Sequence, residues 1–573
     1  MKWILFLFFV IFLDFWLVYR ARIFSATSTR EIREKIKSNK KILRFWGTIL
    51  AGALSFLLAK NLLDKKIFPI ILLYPLSVIN FWNYELRMYD LNFDATIWVI
   101  LLLFATGFFF SRAIPQKSKA EKFEKTWGNF VFRKNLFSAK GAALVGILAF
   151  AFFIHKISLK EFSWWSILLW LFPIFLISFS LFKRDAKTGI SFAISIEKID
   201  LFWLTILLMI GLGIGSYKLT QIPSWQMADE GAFFATAKDM LKGVDVSVLL
   251  REGIYTFPAV SSLYVASILH LFGQNLWAWR FASVLAGSLT ILPLYFLVKI
   301  LFNRKMAILT SWLMMTNPYY LSFSRLGYNN SQALFPITLA ILLFVLAVQE
   351  RSYVFLWLSG LVAGLAFYTY PVALLGVSVI FIMIAIMPKN WHVESNKITL
   401  GGIVLSSFLM VALPRIIYMS ASNSTDVLHF KVWETSIVSA FYGHAMYGDF
   451  FLENTDVFRL GGAEIFFSSQ IHTWLLARGV LRTWLVLFSH LFSHEHFLIS
   501  GLTGGTGFFF LGGLLLILRG RKNLASLIFS TWFFLGFFIL GVLAAFPPRL
   551  THLVAIIPAI AFLGALGMLS HLR

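Results

Sequence analysis

Apolar runs recur along the whole chain, and most are continuous, without the alternation a half-buried strand would show. Stretches such as Asp200–Tyr217, Phe281–Ile300, Ala333–Val348, Gly401–Ile417, Leu524–Leu540 and His552–Met568 approach the roughly 17–25 residues that a bilayer-crossing helix needs. Shorter runs, Met306–Asn317, Tyr353–Phe367, Val372–Ile386 and Thr506–Leu518, fit between them. The pattern predicts an all-α polytopic membrane protein and excludes a closed barrel, whose strands alternate apolar and polar residues. The first run, Trp3–Val18, precedes a basic segment and no small-residue cleavage site, so it is expected to be a retained span. Ile67–Trp82 contains Pro69 and Pro75 and is expected to be re-entrant or interfacial. The count is about five N-terminal spans and about ten in the rest.

Composition agrees: 59% of residues are hydrophobic, 13% are charged, and the mean hydropathy is +0.79. The formal charge of +23 comes from Lys and Arg gathered in short loops. That is the pattern that orients membrane helices, not a nucleic-acid footprint. With no Cys, a catalytic thiol, a disulfide and a thiolate metal site are excluded.

Loop charge places the segments Arg20–Arg44, Arg112–Lys140 and Lys183–Lys198 in the cytoplasm. Alternating from there, Asp229, Glu230, Arg325 and Arg549 all fall on the extracytoplasmic side. So do two long loops, 218–279 and 418–505, with Trp474–Phe492 expected to lie at the membrane interface. The organisation predicted is an N-terminal segment of membrane spans over 1–199 and a core over 200–573 with an outward site. A plasma or inner membrane is the expected location.

Asp229-Glu230 stands out, because two adjacent carboxylates follow a span directly in MADEGAFFATAKDMLKG. A carboxylate near an interface can serve as a general base. Glu230 is expected to orient Asp229, contact a substrate hydroxyl or join it as an acid–base pair. The competing reading makes Asp229 the N-cap of a helix over Glu230–Leu241. Arg325 and Arg549 are candidate phosphate cations, since a guanidinium presents a planar fork of donors. The alternative for both is snorkelling to head groups. Arg280, in Trp279-Arg280-Phe281, reads as an interfacial anchor that also lines the site. His552 lies three residues after Arg549 and can share its helix face, although a satisfied interior His explains it as well.

His490 and His494, four residues apart and followed by Glu495 and His496, have a spacing that suggests a metal set. On an unbroken helix Glu495 and His496 point away from the pair, so no metal is assigned. The run Gly501–Gly505 lacks the Lys and spacing of a phosphate loop and reads as a turn. No Gly-rich fingerprint follows a strand, and no soluble domain is present for a nucleotide sugar. No cofactor is implied.

From Asp200 onward the chain resembles the dolichyl-phosphate-mannose–protein mannosyltransferase-like family of the GT-C superfamily of membrane glycosyltransferases. The resemblance is carried by Asp229-Glu230 after the first core span and by AWRFASVLAGSLTILPLYFLVKILFNRKMAILTSWLMMTNPYYLSFSR. It continues in GLVAGLAFYTYP and PPRLTHLVAIIPAIAFLGALGM, in that order. It covers roughly two thirds of the chain. It implies a GT-C-like helical core and transfer of a hexose or pentose from a polyprenyl-phosphate donor to an extracytoplasmic protein, lipid or envelope glycan. Asp229 falls on the family's base. Two departures remove charge. Arg325 is followed by Leu326-Gly327-Tyr328-Asn329-Asn330 where members often carry an acid. The Gly-rich span leads to Tyr368-Thr369-Tyr370-Pro371 where they often carry a Lys. Asn329, Asn330 and Tyr370 are therefore expected to line the site, with donor and acceptor left open. The alternatives are a lipid-linked sugar transporter or flippase, and a non-catalytic scaffold in envelope assembly.

Overall fold

The computed structural model describes residues 139–187, 196–224, 228–254, 257–387, 397–421, 479–488, 501–519, 524–543 and 550–571. The expectations for Trp3–Val18, Ile67–Trp82 and the basic segments before residue 139 lie outside the described residues. So do Arg549 and the His490–His496 cluster. Residues 122–569 form one compact unit.

Among the described residues the secondary structure is helical, with one isolated antiparallel bridge between Glu252 and Pro258. Helices α1 (Ala139–Ser158) and α2 (Trp164–Lys187) form a hairpin; α3 (Lys198–Ser216) follows. Two helices occupy the first predicted loop, α4 (Ala228–Met240) and α5 (Ala259–Phe272). Then come α6 (Leu276–Leu289), α7 (Ile291–Leu301), α8 (Arg304–Met315) and the short α9 (Pro318–Ser324). The bundle continues with α10 (Leu334–Glu350), α11 (Tyr353–Gly364), α12 (Leu374–Ile386) and α13 (Lys397–Ala421). It closes with α14 (Gly507–Leu518), α15 (Leu524–Gly536) and α16 (Ile557–His571).

Seven of the described helical stretches are long and apolar enough to cross a membrane, among them Lys198–Ser216, Leu276–Leu301, Asn330–Glu350 and Lys397–Met419. The predicted span Phe281–Ile300 is a pair, α6 and α7, with Thr290 between them. The predicted outward span Met306–Asn317 is α8, and the short α9 follows it directly. Asn317 caps α9, its side chain accepting from the amides of Tyr319 and Tyr320, and Pro318 supplies the first helical position. Asn275, Asn303 and Ser352 cap α6, α8 and α11 in the same manner.

Helices approach closely where a side chain is missing. A Cβ on Gly360 of α11 would stand 1.9 Å from the Ser407 hydroxyl of α13, so only glycine permits that crossing. Outward-facing Leu148, Phe152, Trp165 and Phe175 on α1 and α2 are exposed, as expected of surfaces that meet lipid. Residues 479–486, from the stretch predicted to lie at the interface, are instead packed within the bundle. Leu485, Val486, Leu487 and Phe488 are buried, and Trp484 and Phe488 meet Phe537 and Phe510. The apolar content that suggested a membrane surface is spent on neighbouring helices.

The two ends of α3, about 28 Å apart at 1.5 Å per residue, carry different charge clusters. At its start, buried Asp200 accepts from Tyr295, Lys299 and Arg304. Arg304 also pairs with Glu197. The end at Ser216 carries the candidate site.

Candidate functional site

A helix leaves its last carbonyls without intrahelical donors. At the end of α3 these are collected by arginine. Arg325, which follows α9, donates from Nη1 to Ile214 O at 2.8 Å and from Nη2 to Tyr217 O at 2.6 Å. It donates to Ile222 O from Nε at 3.3 Å and from Nη2 at 3.0 Å. Burial first, and the nearby Arg280 charge second, lower its pKa. Arg325 was expected to hold phosphate. The structure corrects this: its fork is engaged with backbone, because a helix end and the loop after it supply more acceptors than α9 alone does. We expect Arg325→Lys to lower stability by about 1–3 kcal/mol, because one ammonium leaves several buried carbonyls unpaired. Thermal unfolding of the purified protein checks this, with lipid-phosphate affinity expected to stay unchanged.

The loop that Arg325 grips leads to α4. Glu230 and Arg280 are both fully buried, at 0% exposure. Arg280 Nε donates to Glu230 Oε1 at 2.9 Å and Nη2 to Oε2 at 3.3 Å, a side-on bidentate fork. Its Nη1 donates to Leu219 O at 3.0 Å and Pro223 O at 2.8 Å. Glu230 Oε1 also accepts from the Gly327 amide at 2.9 Å. Gly327 is required here, since a Cβ would lie 2.3 Å from the Trp279 ring. The expectation that Arg280 anchors at an interface is thus corrected: its charge is neutralised inside the protein by a carboxylate 50 residues away in sequence. Glu230, expected to touch Asp229 or a sugar, has its carboxylate turned into this latch.

The helix begins at Ala228, so Asp229 sits in the first turn of α4 and not at the cap of a helix over Glu230–Leu241. Asp229 lies one turn before Phe233, as Glu230 lies one turn before Phe234. Phe234 stacks on Trp279 at 4.7 Å, on the latch side. Phe233 meets Phe257 at 5.8 Å and Tyr328 at 5.9 Å. Phe257 meets Tyr370 at 5.3 Å, and Tyr370 meets the His552 ring edge-on at 5.8 Å. Phe233 thus belongs to an aromatic wall, while Glu230 and Phe234 face the latch.

Asn330 Nδ2 donates to Thr551 O at 2.9 Å, tying the loop to the start of the last span. Asn329 is buried and its Nδ2 has no hydrogen-bond partner. Of the residues expected to line the site, Asn330, Tyr370 and His552 are joined through the Leu550–Leu553 segment. Arg549, one residue before it, is outside the described residues.

Sequence reasoning missed Arg415. It lies in α13 directly after Pro414, is 2% exposed, and donates from Nη1 to Phe367 O. Its Nε and Nη2 are buried without a hydrogen-bond partner. The signal was available, since a lone ionisable residue inside an apolar run is a functional candidate by default. Among the described residues no group of three His, Asp or Glu side chains is placed to hold a metal ion.

Residues 257–418 match the family described as dolichyl-phosphate-mannose-protein mannosyltransferase. The resemblance read from the sequence therefore holds over a stretch that includes Arg280, Arg325, Asn329, Asn330, Tyr370 and Arg415 and ends short of Asp229 and Arg549. Among the described residues the protein is all-helical, with seven helical stretches long and apolar enough to cross a membrane. Similar solved structures include ArnT from Cupriavidus metallidurans bound to undecaprenyl phosphate, at 12% identity and a TM-score of 0.41, over 64% of this chain and 60% of that one. The archaeal oligosaccharyltransferase AglB from Archaeoglobus fulgidus, in complex with an inhibitory peptide and a dolichol-phosphate, is 15% identical at 0.41, over 64% and 50%. Arabinosyltransferase EmbB from Mycobacterium smegmatis is 14% identical at 0.38, over 71% and 34%. The matched region thus spans between about a third and three fifths of those proteins. No curated protein sequence matches the chain.

Proposed function

We propose that the protein transfers a sugar from a polyprenyl-phosphate donor to an acceptor on the extracytoplasmic side of the membrane, with Asp229 as general base. The observation that carries this reading is the latch. Glu230, Arg280 and the Gly327 amide fix the start of α4 next to the Phe233–Phe257–Tyr370 aromatic contacts, and Asp229 directly precedes Glu230 in the sequence.

The chemistry needs few parts. The acceptor hydroxyl oxygen attacks the sugar's anomeric carbon and its proton passes to Asp229. The bond from that carbon to the phosphate oxygen breaks, and the polyprenyl phosphate leaves with both bonding electrons. Attack from the side opposite the phosphate inverts the anomeric configuration. A base must be ionised to take the proton, and the first turn of a helix favours a carboxylate through the orphan amides there. The departing phosphate gains charge and needs a cation. Arg549 stands where Pro547-Pro548 meets the last span and fits that need. Glu230 and Arg280 act as positioning residues. Metal is not required by any of these steps.

The acceptor class, whether protein, lipid or glycan, follows from neither the latch nor the wall. A lipid-linked donor is favoured over a nucleotide sugar because the described bundle is helical and apolar. The test uses purified full-length protein in lipid with Arg549→Lys beside Arg549→Ala. Lys keeps the charge and loses the paired donors, so we expect reduced turnover or donor affinity in both variants, with acceptor affinity unchanged. Full activity of the Lys variant would reject bidentate phosphate binding. Full activity of both would remove Arg549 from the site. Use of nucleotide sugars in place of the lipid donor would reject the donor class.

A further inference from the structure

Three buried arginines stand at the Ser216 end of the bundle in distinct states of satisfaction. Arg280 grips Glu230 through Nε and Nη2 and spends Nη1 on carbonyls. Arg325 spends Nε, Nη1 and Nη2 on carbonyls. Arg415 spends Nη1 on Phe367 O and leaves Nε and Nη2 buried and unpaired. Those two nitrogens form the same side-on edge by which Arg280 holds a carboxylate, and its spacing matches two oxygens of an oxyanion.

A buried guanidinium with an open edge is costly unless an anion meets it. Glu252 follows Leu250 by two residues, and Leu250 packs with Tyr368 and with Val411, one turn before Arg415 on α13. Glu252 sits on a tight turn in which Gly253 donates to Phe257 O at 2.6 Å and Ala259 to Arg251 O at 3.2 Å. That turn carries Glu252 on the limb that packs through Leu250 against Val411 of α13, and Phe257 against Phe233 and Tyr370 on the other. Arg415 therefore belongs to the same neighbourhood as the start of α4. The Tyr368–Pro371 stretch beside it carries no cation of its own, and the Tyr368 hydroxyl is bonded to Val411 O at 2.8 Å.

We propose that Arg415 receives the phosphate group of the polyprenyl-phosphate donor through Nε and Nη2, and that Glu252 competes for the same cation when the donor is absent. The proposal rests on the donor class inferred above. The phosphate oxygens accept two parallel N–H bonds. The lipid chain follows the apolar flank of α13, and Glu252 is displaced without any covalent change.

The test measures binding of a short-chain polyprenyl monophosphate to full-length protein in nanodiscs, with the matching polyprenol and inorganic phosphate as controls. Arg415→Gln is expected to weaken monophosphate binding about tenfold to a hundredfold, the range for hydrogen bonds to a charged group. Polyprenol binding should not change. Because a core variant can fail to fold, Glu252→Gln is measured beside it. Removing the competing carboxylate should tighten monophosphate binding several-fold, in the direction opposite to a simple loss of structure. Wild-type affinity in Arg415→Gln overturns the proposal, and so does unchanged affinity in Glu252→Gln. Inorganic phosphate binding as tightly as the monophosphate also overturns it, by showing an anion site without a lipid. The two readings separate cleanly. A wild-type protein that binds the monophosphate through Arg415 but transfers no sugar refutes the transfer reading alone. A protein that transfers sugar equally well with and without Arg415 refutes this one alone.

Discussion

Replacing Asp229 by Asn is expected to lower sugar transfer by about two to four orders of magnitude, the usual contribution of a positioned general base, while leaving the fold intact. Asn keeps the size and one carbonyl oxygen of Asp, so local packing and hydrogen bonding in the first turn of α4 change little. It cannot accept the acceptor's proton. The adjacent Glu230 does not substitute, because both its oxygens are engaged by Arg280 and one also by the Gly327 amide. Donor affinity should be near wild type, so the loss appears in turnover. Equal unfolding temperatures for the two proteins, together with the fall in turnover, establish the role. An Asp229→Asn protein with wild-type turnover removes Asp229 as the base.

Replacing Glu230 by Gln should destabilise the protein by about 3–5 kcal/mol, because it leaves the Arg280 charge buried and uncompensated. Arg280→Met is expected to cost a similar amount, since the Glu230 charge and the carbonyls of Leu219 and Pro223 then lose their partner. The double variant Glu230→Met/Arg280→Met should recover part of the loss, since no unpaired charge remains; the two carbonyls and the Gly327 amide keep it below wild type. Thermal unfolding of the four proteins forms the cycle. Additive losses in the double variant would show that the two residues do not pair. Because α4 carries Asp229, any folded single variant should also lose turnover.

Membrane class and the order of the described helices are legible in the chain because each has a local signature: an apolar run or a basic loop. Partners distant in sequence are not. Glu230 and Arg280 are 50 residues apart, so Arg280 looked like an anchor at the start of a span. Arg325 looked like a ligand because its partners are backbone carbonyls of Ile214, Tyr217 and Ile222, which leave no mark in side-chain identity. Arg415 was hidden inside a run read only for its hydropathy. The start of α4 was placed two residues late, within the accuracy of any boundary read from capping preferences. Helix α5 reads as part of a loop in the sequence because its 14 residues fall short of a span. Close approaches such as Gly327 against Trp279 depend on tertiary geometry that no run of residues announces.

The most direct measurement supplies purified full-length protein in lipid vesicles with a polyprenyl-phosphate sugar labelled in the sugar, together with an envelope fraction as acceptor. Label should move to the acceptor with release of polyprenyl phosphate in equal amount, and Asp229→Asn should abolish both. Label that stays on the lipid, or crosses the bilayer still attached to it, would contradict transfer and favour a carrier. Equal transfer by Asp229→Asn would contradict the assigned base.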